Sequence, residues 1–117
     1  MLTVGNKFPN FTLQGVDDCN DFVKVKLEEN NWNVIYFYPK DFTFICPTEI
    51  AGMDILVKEA KVIGISGDNE YCKFAWRTAD EHHDLYGVEH VLAADCGLKL
   101  ASELGIVNEE GVCYRAT

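Results

Sequence analysis

The chain has 117 residues, of which 48% are apolar, and its formal net charge is −9. This length suits a single domain over residues 1–117 with one core, and the apolar fraction excludes a disordered chain. The negative charge, without any basic block, argues against nucleic acid or an anionic membrane as a partner, because phosphate groups are bound by basic patches.

The first half of the chain predicts two strands followed by a helix. Residues 22–27 partly alternate between apolar and polar side chains, which is typical of a half-exposed strand, and residues 28–31 predict a turn. Residues 33–38 are almost continuously apolar, as expected for a central parallel strand that is buried on both faces. Apolar positions then recur at helical spacing, which predicts a helix that starts at Cys46 and ends near Glu59.

The second half repeats this alternation. Residues 61–66 and 90–94 predict two further strands, with a helix over residues 69–83 between them. The predicted helix has an apolar side and a side that can face water, formed respectively by Tyr71, Phe74, Ala75 and Thr78, and by Glu70, Lys73, Arg77 and Glu81.

The last third predicts one more helix and one more strand. Asp95 can cap a helix over residues 97–104, and Gly105 can end it. A turn over residues 108–111 then leads into a strand that begins within residues 112–117. Strands that alternate with helices indicate an α/β fold, in which helices flank a central, mainly parallel sheet.

One short motif predicts a reactive thiolate. The apolar strand ends at Pro39, a threonine follows at position 43, and the predicted helix opens with Cys46 and Pro47. Proline suits the first helical position because its missing N–H would have no partner there. A free thiol has a pKa of about 8.5 and is a weak nucleophile at neutral pH. A helix N-terminus or a nearby cation lowers this pKa.

The motif resembles the active-site sequence of the peroxiredoxins. Residues 37–49, FYPKDFTFICPTE, are similar to the alkyl hydroperoxide reductase C branch, also called typical two-cysteine peroxiredoxins. Further similar segments are 4–11 (VGNKFPNF), 63–68 (IGISGD), 74–76 (FAW) and 111–117 (GVCYRAT). The resemblance implies a thioredoxin-like fold. It also implies that this chain is a partial domain, because family members continue beyond the position of Thr117.

The resemblance implies a role for each residue of the motif. Cys46 would attack a hydroperoxide and become a sulfenic acid. The hydroxyl of Thr43 would contact both the sulfur and the peroxide, and Pro39 would shield the pocket. Arg115 would lie against the thiolate, and Glu49 would orient this arginine. From the residues alone, each of them also suits a structural role, such as a buried cysteine or a solvated cation.

Other residues of the chain are interpreted as structural. Arg77 is expected to be a surface charge and Trp76 a core residue. By resemblance, Phe42 and Phe44 would lie near a subunit interface, with local core packing as the alternative.

A resolving cysteine is the second thiol that would condense with the sulfenic acid of Cys46. None of the remaining thiols is clearly predicted to be that residue. Cys113 lies two residues from Arg115, so both would face the same side of a strand, although a small buried side chain is the favoured interpretation. Cys72 is expected in the core, Cys96 at a helix start that could lower its pKa, and Cys19 in a polar loop.

The compartment and the partners follow from these observations. Residues 1–5 contain neither a basic region nor a long apolar run, which predicts no signal peptide and no transmembrane segment. Five cysteines without a CxxC spacing favour a reducing, cytoplasmic setting. No metal or cofactor is expected, because the histidines and cysteines fit no zinc spacing. The resemblance implies a peroxide substrate, an external dithiol reductant (thioredoxin-like or a flavoprotein disulfide reductase) and a homodimer or higher homo-oligomer.

Two alternatives to a thiol peroxidase remain open. One is a non-catalytic thioredoxin-fold module that oligomerises or acts as a chaperone-like scaffold. The other is an inactive truncated fragment. Intact Thr43, Cys46 and Arg115 favour the peroxidase, because a scaffold does not require them.

Overall fold

A five-stranded sheet flanked by helices forms the fold. The computed structural model describes residues 4–27, 32–41, 46–78 and 88–117, and for residues 46–49 it describes the backbone alone. The strands are β1 (Leu13–Val16), β2 (Phe22–Val25), β3 (Asn33–Phe37), β4 (Lys61–Ser66) and β5 (Val91–Ala94). Their order in the sheet is β2-β1-β5-β4-β3, with β3, β4 and β5 parallel and β1 antiparallel to both β2 and β5. The predicted α/β class is confirmed, and the sheet is mixed.

In the described part of the chain, three helices pack on this sheet. They are α1 (Cys46–Met53), α2 (Glu70–Thr78) and α3 (Lys99–Leu104), with 3₁₀ turns at Asp54–Leu56 and Cys96–Leu98. The helix start predicted at Cys46 is confirmed, whereas its α-helical geometry ends at Met53 rather than near Glu59. Gly105 ends α3 with a φ of 73°, in the left-handed region that favours glycine. Within the described ranges, no helix has the length and apolar character needed to span a bilayer.

Two apolar cores lie on opposite faces of the sheet, because successive strand residues point to opposite sides. Ile63 and Ile65 of β4 belong to the core that packs on α3, whereas Val62 belongs to the core that packs on α1 and α2. Trp76 is fully buried in this second core, as predicted, while Trp32 just before β3 is 82% exposed. The sheet therefore separates α3 from the helix that begins at Cys46.

Strand β1 was not predicted, and its glycine explains why. A Cβ added at Gly15 would lie 2.8 Å from the carbonyl oxygen of Leu92 and 2.6 Å from a methyl group of Val25. Only glycine at this position allows β1 to lie so close to both β2 and β5. Because glycine is depleted in strands, the four residues LQGV carry little strand signal.

The two sides predicted for α2 are wrong in part. Lys73 and Arg77 are buried, whereas Tyr71 and Phe74 are exposed and contact the ring of Phe22 on β2. Both long cations reach polar acceptors under the helix, and those contacts compensate for their desolvation. The prediction of Arg77 as a surface charge is thus also wrong. The end of the predicted helix, residues 79–83, lies outside the described residues.

The predicted strand within residues 112–117 is also wrong. The described backbone there forms two isolated antiparallel bridges, Val107 with Cys113 and Phe37 with Ala116. Gly111, with a φ of 79°, ends the turn before this segment. The segment pairs with Val107 at one residue and with Phe37 at another, so it does not form a continuous strand beside a single neighbour.

Candidate active site

Strand β3 and helix α1 place Pro39 and Cys46 at the ends of one short connection. Pro39 is half-buried directly after β3, and Cys46 is the first residue of α1. The strand before Pro39 and the helix that starts at Cys46 are the two flanking elements that the sequence predicted for a reactive cysteine. Thr43 lies outside the described residues, as do the side chains of Cys46 and Glu49, so their predicted contacts stay predictions.

Arg115 lies in a cleft beside α1. The cleft has a volume of about 330 Å³ and is lined by Tyr36, Phe37, Gly52, Met53, Arg115, Ala116 and Thr117. The bridge between Phe37 and Ala116, in which the Phe37 N–H donates to the Ala116 oxygen at 2.7 Å, holds Arg115 next to β3. Glu49 precedes Gly52, one of the lining residues of the cleft, by three positions on α1. The structure thus brings Arg115 to the helix of Cys46.

A buried polar network holds the segment that follows β3 against β4 and α2. The carboxylate of Asp41 accepts hydrogen bonds from the Tyr38 hydroxyl at 2.6 Å and the Ser66 hydroxyl at 3.2 Å. The Lys73 ammonium lies 3.3 Å from the same carboxylate, and neither charged side chain is exposed beyond 1%. The Asp41 N–H also donates to the Asp68 carboxylate at 2.7 Å. Asp41 therefore joins β4 and α2 to the start of the connection toward Cys46.

Burial disfavours both charges of this pair. Desolvation raises the pKa of Asp41 and lowers the pKa of Lys73, and the attraction between the two groups opposes both shifts. Burial, and then the charge of Asp41, raises the pKa of Tyr38 well above its ordinary value. Tyr38 is therefore a hydrogen-bond donor throughout the physiological range.

A second buried network lies under the end of α1. The Nδ1 of His90 is 2.8 Å from the Asp54 carboxylate, and its Nε2 is 2.5 Å from the Tyr36 hydroxyl. Arg77 donates to the backbone oxygens of Val88 and His90. Burial lowers the pKa of His90, in spite of its bond to Asp54. A neutral ring that donates from Nδ1 and accepts at Nε2 satisfies both partners.

Three of the described thiols, those of Cys19, Cys96 and Cys113, are unfavourable nucleophiles because their pKa values are raised. Cys113 is fully buried, as favoured by the sequence, and burial raises its pKa to about 11. Cys96 is exposed, but burial of its sulfur and the charge of Glu70 raise its pKa, so the predicted acidification by the helix start is wrong. Asp18, and then Asp17, raises the pKa of exposed Cys19. Cys72 is half-buried rather than in the core.

Asp17, Asp18 and Cys19 form the one group of possible metal ligands within the described part of the chain. An oxygen of Asp17 already accepts the backbone N–H groups of Cys19 and Asp21, each at 3.0 Å. This pattern closes the loop between β1 and β2, and it provides no separate indication of an ion.

Sequence reasoning missed the Asp41–Lys73 pair, although one signal pointed to it. Trp76 was correctly assigned to the core, and Lys73 precedes it by three residues, which places both on one stripe of α2. The burial of Trp76 therefore implied that Lys73 points inward. Its acceptors on Asp41 and Ser66 are distant in sequence and carried no local signal.

Sequence comparison finds one family along almost the whole chain. The profile of the AhpC/TSA family matches residues 4–117. The chain is 38% identical over 135 residues to alkyl hydroperoxide reductase C of Mycolicibacterium smegmatis and 40% identical over 123 residues to the putative peroxiredoxin YkuU of Bacillus subtilis. These alignments cover 100% and 96% of this chain and 68% of each relative, so the chain spans about two thirds of their length.

Solved structures give the same result for the fold. The reduced 2-Cys peroxiredoxin of Plasmodium vivax matches with a TM-score of 0.88 at 27% identity, over 98% of this chain and 64% of that one. Mycobacterium tuberculosis AhpC matches with a TM-score of 0.83 at 32% identity, over 98% of this chain and 74% of that one. The predicted thioredoxin-like fold is confirmed.

Proposed function

Because the chain belongs to the AhpC/TSA family of thiol-dependent peroxidases, we propose that Cys46 reduces hydrogen peroxide and organic hydroperoxides. The Cys46 thiolate attacks one peroxide oxygen and the O–O bond breaks. The sulfur is oxidised by two electrons to a sulfenic acid, and the departing alkoxide or hydroxide takes up a proton. The products are the sulfenic acid and an alcohol or water.

The observation that carries this proposal is the position of Cys46 at the start of α1 with Arg115 beside the same helix. Backbone N–H groups at a helix N-terminus favour an anion, and so does a guanidinium nearby. Both effects lower the pKa of a thiol. In the proposed site Arg115 also binds a peroxide oxygen, Thr43 bridges sulfur and substrate, Pro39 shields the pocket and Glu49 orients Arg115.

Turnover requires a second thiol, because the sulfenic acid must be reduced. We propose an external dithiol protein as the reductant, thioredoxin-like or a flavoprotein disulfide reductase. Cys113, with its raised pKa and full burial, is a poor candidate for an internal partner. We also propose a homodimer or higher homo-oligomer in the cytoplasm, where free thiols stay reduced.

The test is single-turnover peroxide consumption by the reduced chain. We expect the wild type to consume about one equivalent and form a dimedone adduct on Cys46. The Cys46→Ser variant should consume none, and the Cys96→Ser variant, which removes an exposed thiol elsewhere, should behave as the wild type. A folded wild-type chain that leaves peroxide untouched would instead support the non-catalytic module.

A further inference from the structure

We propose that Lys73 is a positioning residue for the peroxide reaction: paired with Asp41, it fixes the backbone segment that leads from β3 toward Thr43 and Cys46. This inference rests on the proposed function. Asp41 precedes Thr43 by two residues and Cys46 by five, so little chain separates the pair from the proposed nucleophile. Lys73 acts on the reacting groups only through Asp41.

The hydrogen-bond acceptors around Lys73 match the three donors of an ammonium group. Its Nζ donates to the Ser66 hydroxyl at 2.6 Å, to the Asp68 backbone oxygen at 3.1 Å and to the Asp41 carboxylate at 3.3 Å. An ammonium group has three N–H donors, and each has an acceptor here. The side chain is 0% exposed, which is rare for lysine unless the charge is paired.

The segment after β3 is held at three points. The Phe37 N–H donates to the Ala116 oxygen at 2.7 Å, the Tyr38 N–H donates to a β4 oxygen at 3.0 Å, and the Asp41 N–H donates to the Asp68 carboxylate at 2.7 Å. The first point ties the segment to the residue next to Arg115. The last point lies beside the Lys73 pair, so this pair sets where the chain departs toward the helix of Cys46.

The charge of Lys73 is what keeps Asp41 in this place. A buried carboxylate without a cation either takes up a proton or moves into water. Desolvation already raises the pKa of Asp41, so loss of the ammonium group would shift this balance further against the buried anion. Either outcome rearranges the hydrogen bonds of Tyr38 and Ser66. The backbone toward Cys46 then loses its anchor.

The experiment measures the second-order rate constant of single-turnover peroxide reduction in a double-mutant cycle. Lys73→Met keeps the length of the side chain and removes the charge. We expect it to lower the rate constant by at least about tenfold, because a displacement of about 1 Å can cost about a hundredfold. The Asp41→Asn/Lys73→Met double variant removes both charges, and we expect it to be faster than either single variant.

Two control variants separate position from stability. Lys24→Met removes an exposed lysine on β2 and should leave the rate constant within about twofold of wild type. Leu104→Ala opens a cavity in the core on the other face of the sheet, so it should lower the melting temperature without a comparable change in rate. If Lys73→Met does not fold, the comparison of Asp41→Asn with the double variant still tests the coupling.

Two results would overturn the positioning role. One is a rate loss in Lys73→Met no larger than that in Leu104→Ala at a matched decrease in melting temperature. The other is a double variant slower than both single variants. Alkylation of Cys46 by iodoacetamide gives a readout that needs no peroxide, and it should slow in Lys73→Met and recover in the double variant. A wild type without peroxidase activity but with this alkylation pattern would refute the proposed function alone.

Discussion

The thiols of this chain differ in their surroundings more than in their sequence context. The pKa of Cys113 is raised to about 11 by burial, and carboxylates raise the pKa of exposed Cys19. The 3₁₀ turn of Cys96 offers no comparable helix N-terminus, and the pKa of this thiol is raised as well. Cys46 begins α1, the helix that borders the Arg115 cleft, and a helix N-terminus and a nearby cation both favour a thiolate.

We therefore expect Cys46 to be alkylated first by iodoacetamide below neutral pH. The reagent reacts with the thiolate, so a lower pKa gives faster labelling. Peptide mapping by mass spectrometry after brief labelling identifies the modified residue. Faster labelling of Cys96, which is exposed, would contradict the assignment of Cys46.

Thr43→Val should affect the rate far more than the stability. A hydroxyl that donates to the breaking O–O bond stabilises the transition state, and loss of one such donor costs about 3 kcal/mol, or about a hundredfold in rate. Single-turnover kinetics and a melting curve measure the two quantities. Thr78→Val is the matched control, because the Thr78 hydroxyl bonds only backbone oxygens of its own helix among the contacts described. Retained activity with lowered stability would indicate a structural threonine.

Helix α3 shows how an element can be predicted correctly through a different contact. Asp95 was expected to cap a helix at residue 97, but the helix begins at Lys99 after a 3₁₀ turn. The Asp95 carboxylate reaches past the turn and accepts the N–H groups of Leu100 at 3.1 Å and Ala101 at 2.8 Å. These are early backbone donors of the helix, which lack intrahelical acceptors. Asp95 therefore caps α3 from four residues before its start.

Asp95→Ala should lower the free energy of unfolding by about 2–3 kcal/mol, because two backbone donors in a buried setting lose their acceptor. Urea denaturation monitored by circular dichroism measures this change. Glu103→Ala on the exposed side of the same helix should change it by less than about 0.5 kcal/mol. Equal small effects of both substitutions would show that water replaces the cap.

Elements with a strong local pattern were predictable, and those fixed by distant contacts were not. The six residues of β4 match the predicted strand, and α1 begins at the predicted Cys46. The predicted sides of α2 were partly wrong because a charged side chain alone indicates solvent, whereas the acceptors of Lys73 lie on other elements. Likewise, the motif at Cys46 is visible in eight consecutive residues, while the Asp41–Lys73 contact spans 32 positions and depends on the topology.

At the scale of the whole molecule, two polar networks are buried on the face of the sheet that carries α1 and α2. Tyr36 binds His90 and Tyr38 binds Asp41, and the two tyrosine rings lie 6.2 Å apart between centroids. The networks attach the 3₁₀ turn after α1 to β3 and attach α2 to the segment that directly follows β3. The stability of this face should therefore respond to pH through the groups that titrate within it.

The free energy of unfolding should decrease as the pH falls below about 6.5, in part because of His90. Burial lowers the folded-state pKa of His90 below the ordinary value of 6.5, so the unfolded chain binds a proton that the folded chain excludes. The decrease from this group is at most about 1.4 kcal/mol per pH unit, between its unfolded and folded pKa values. The facing groups are Asp54, Tyr36 and Arg77, of which Asp54 opposes the shift and Arg77 adds to it.

Urea denaturation at about pH 7.5 and about pH 5.5 tests this expectation in the wild type and in His90→Gln. The decrease in stability should be smaller in the variant, which cannot take up a proton at this position. The comparison between the two proteins removes the contribution of Asp41, whose raised pKa acts in the opposite direction. An equal decrease in both proteins would exclude His90 as its source.

Because Trp32 is exposed and Trp76 is buried, intrinsic tryptophan fluorescence can report on the packing of this protein. An indole in water emits at longer wavelength than one in an apolar core, so the two tryptophans give separable fluorescence. Trp76 is fully buried with its ring 6.0 Å from that of Tyr38, the residue whose hydroxyl binds Asp41. In a Trp32→Phe background, the remaining emission therefore follows the packing around the Asp41–Lys73 pair. A red shift in that emission, with circular dichroism unchanged, would reveal loosening of this region before the chain unfolds.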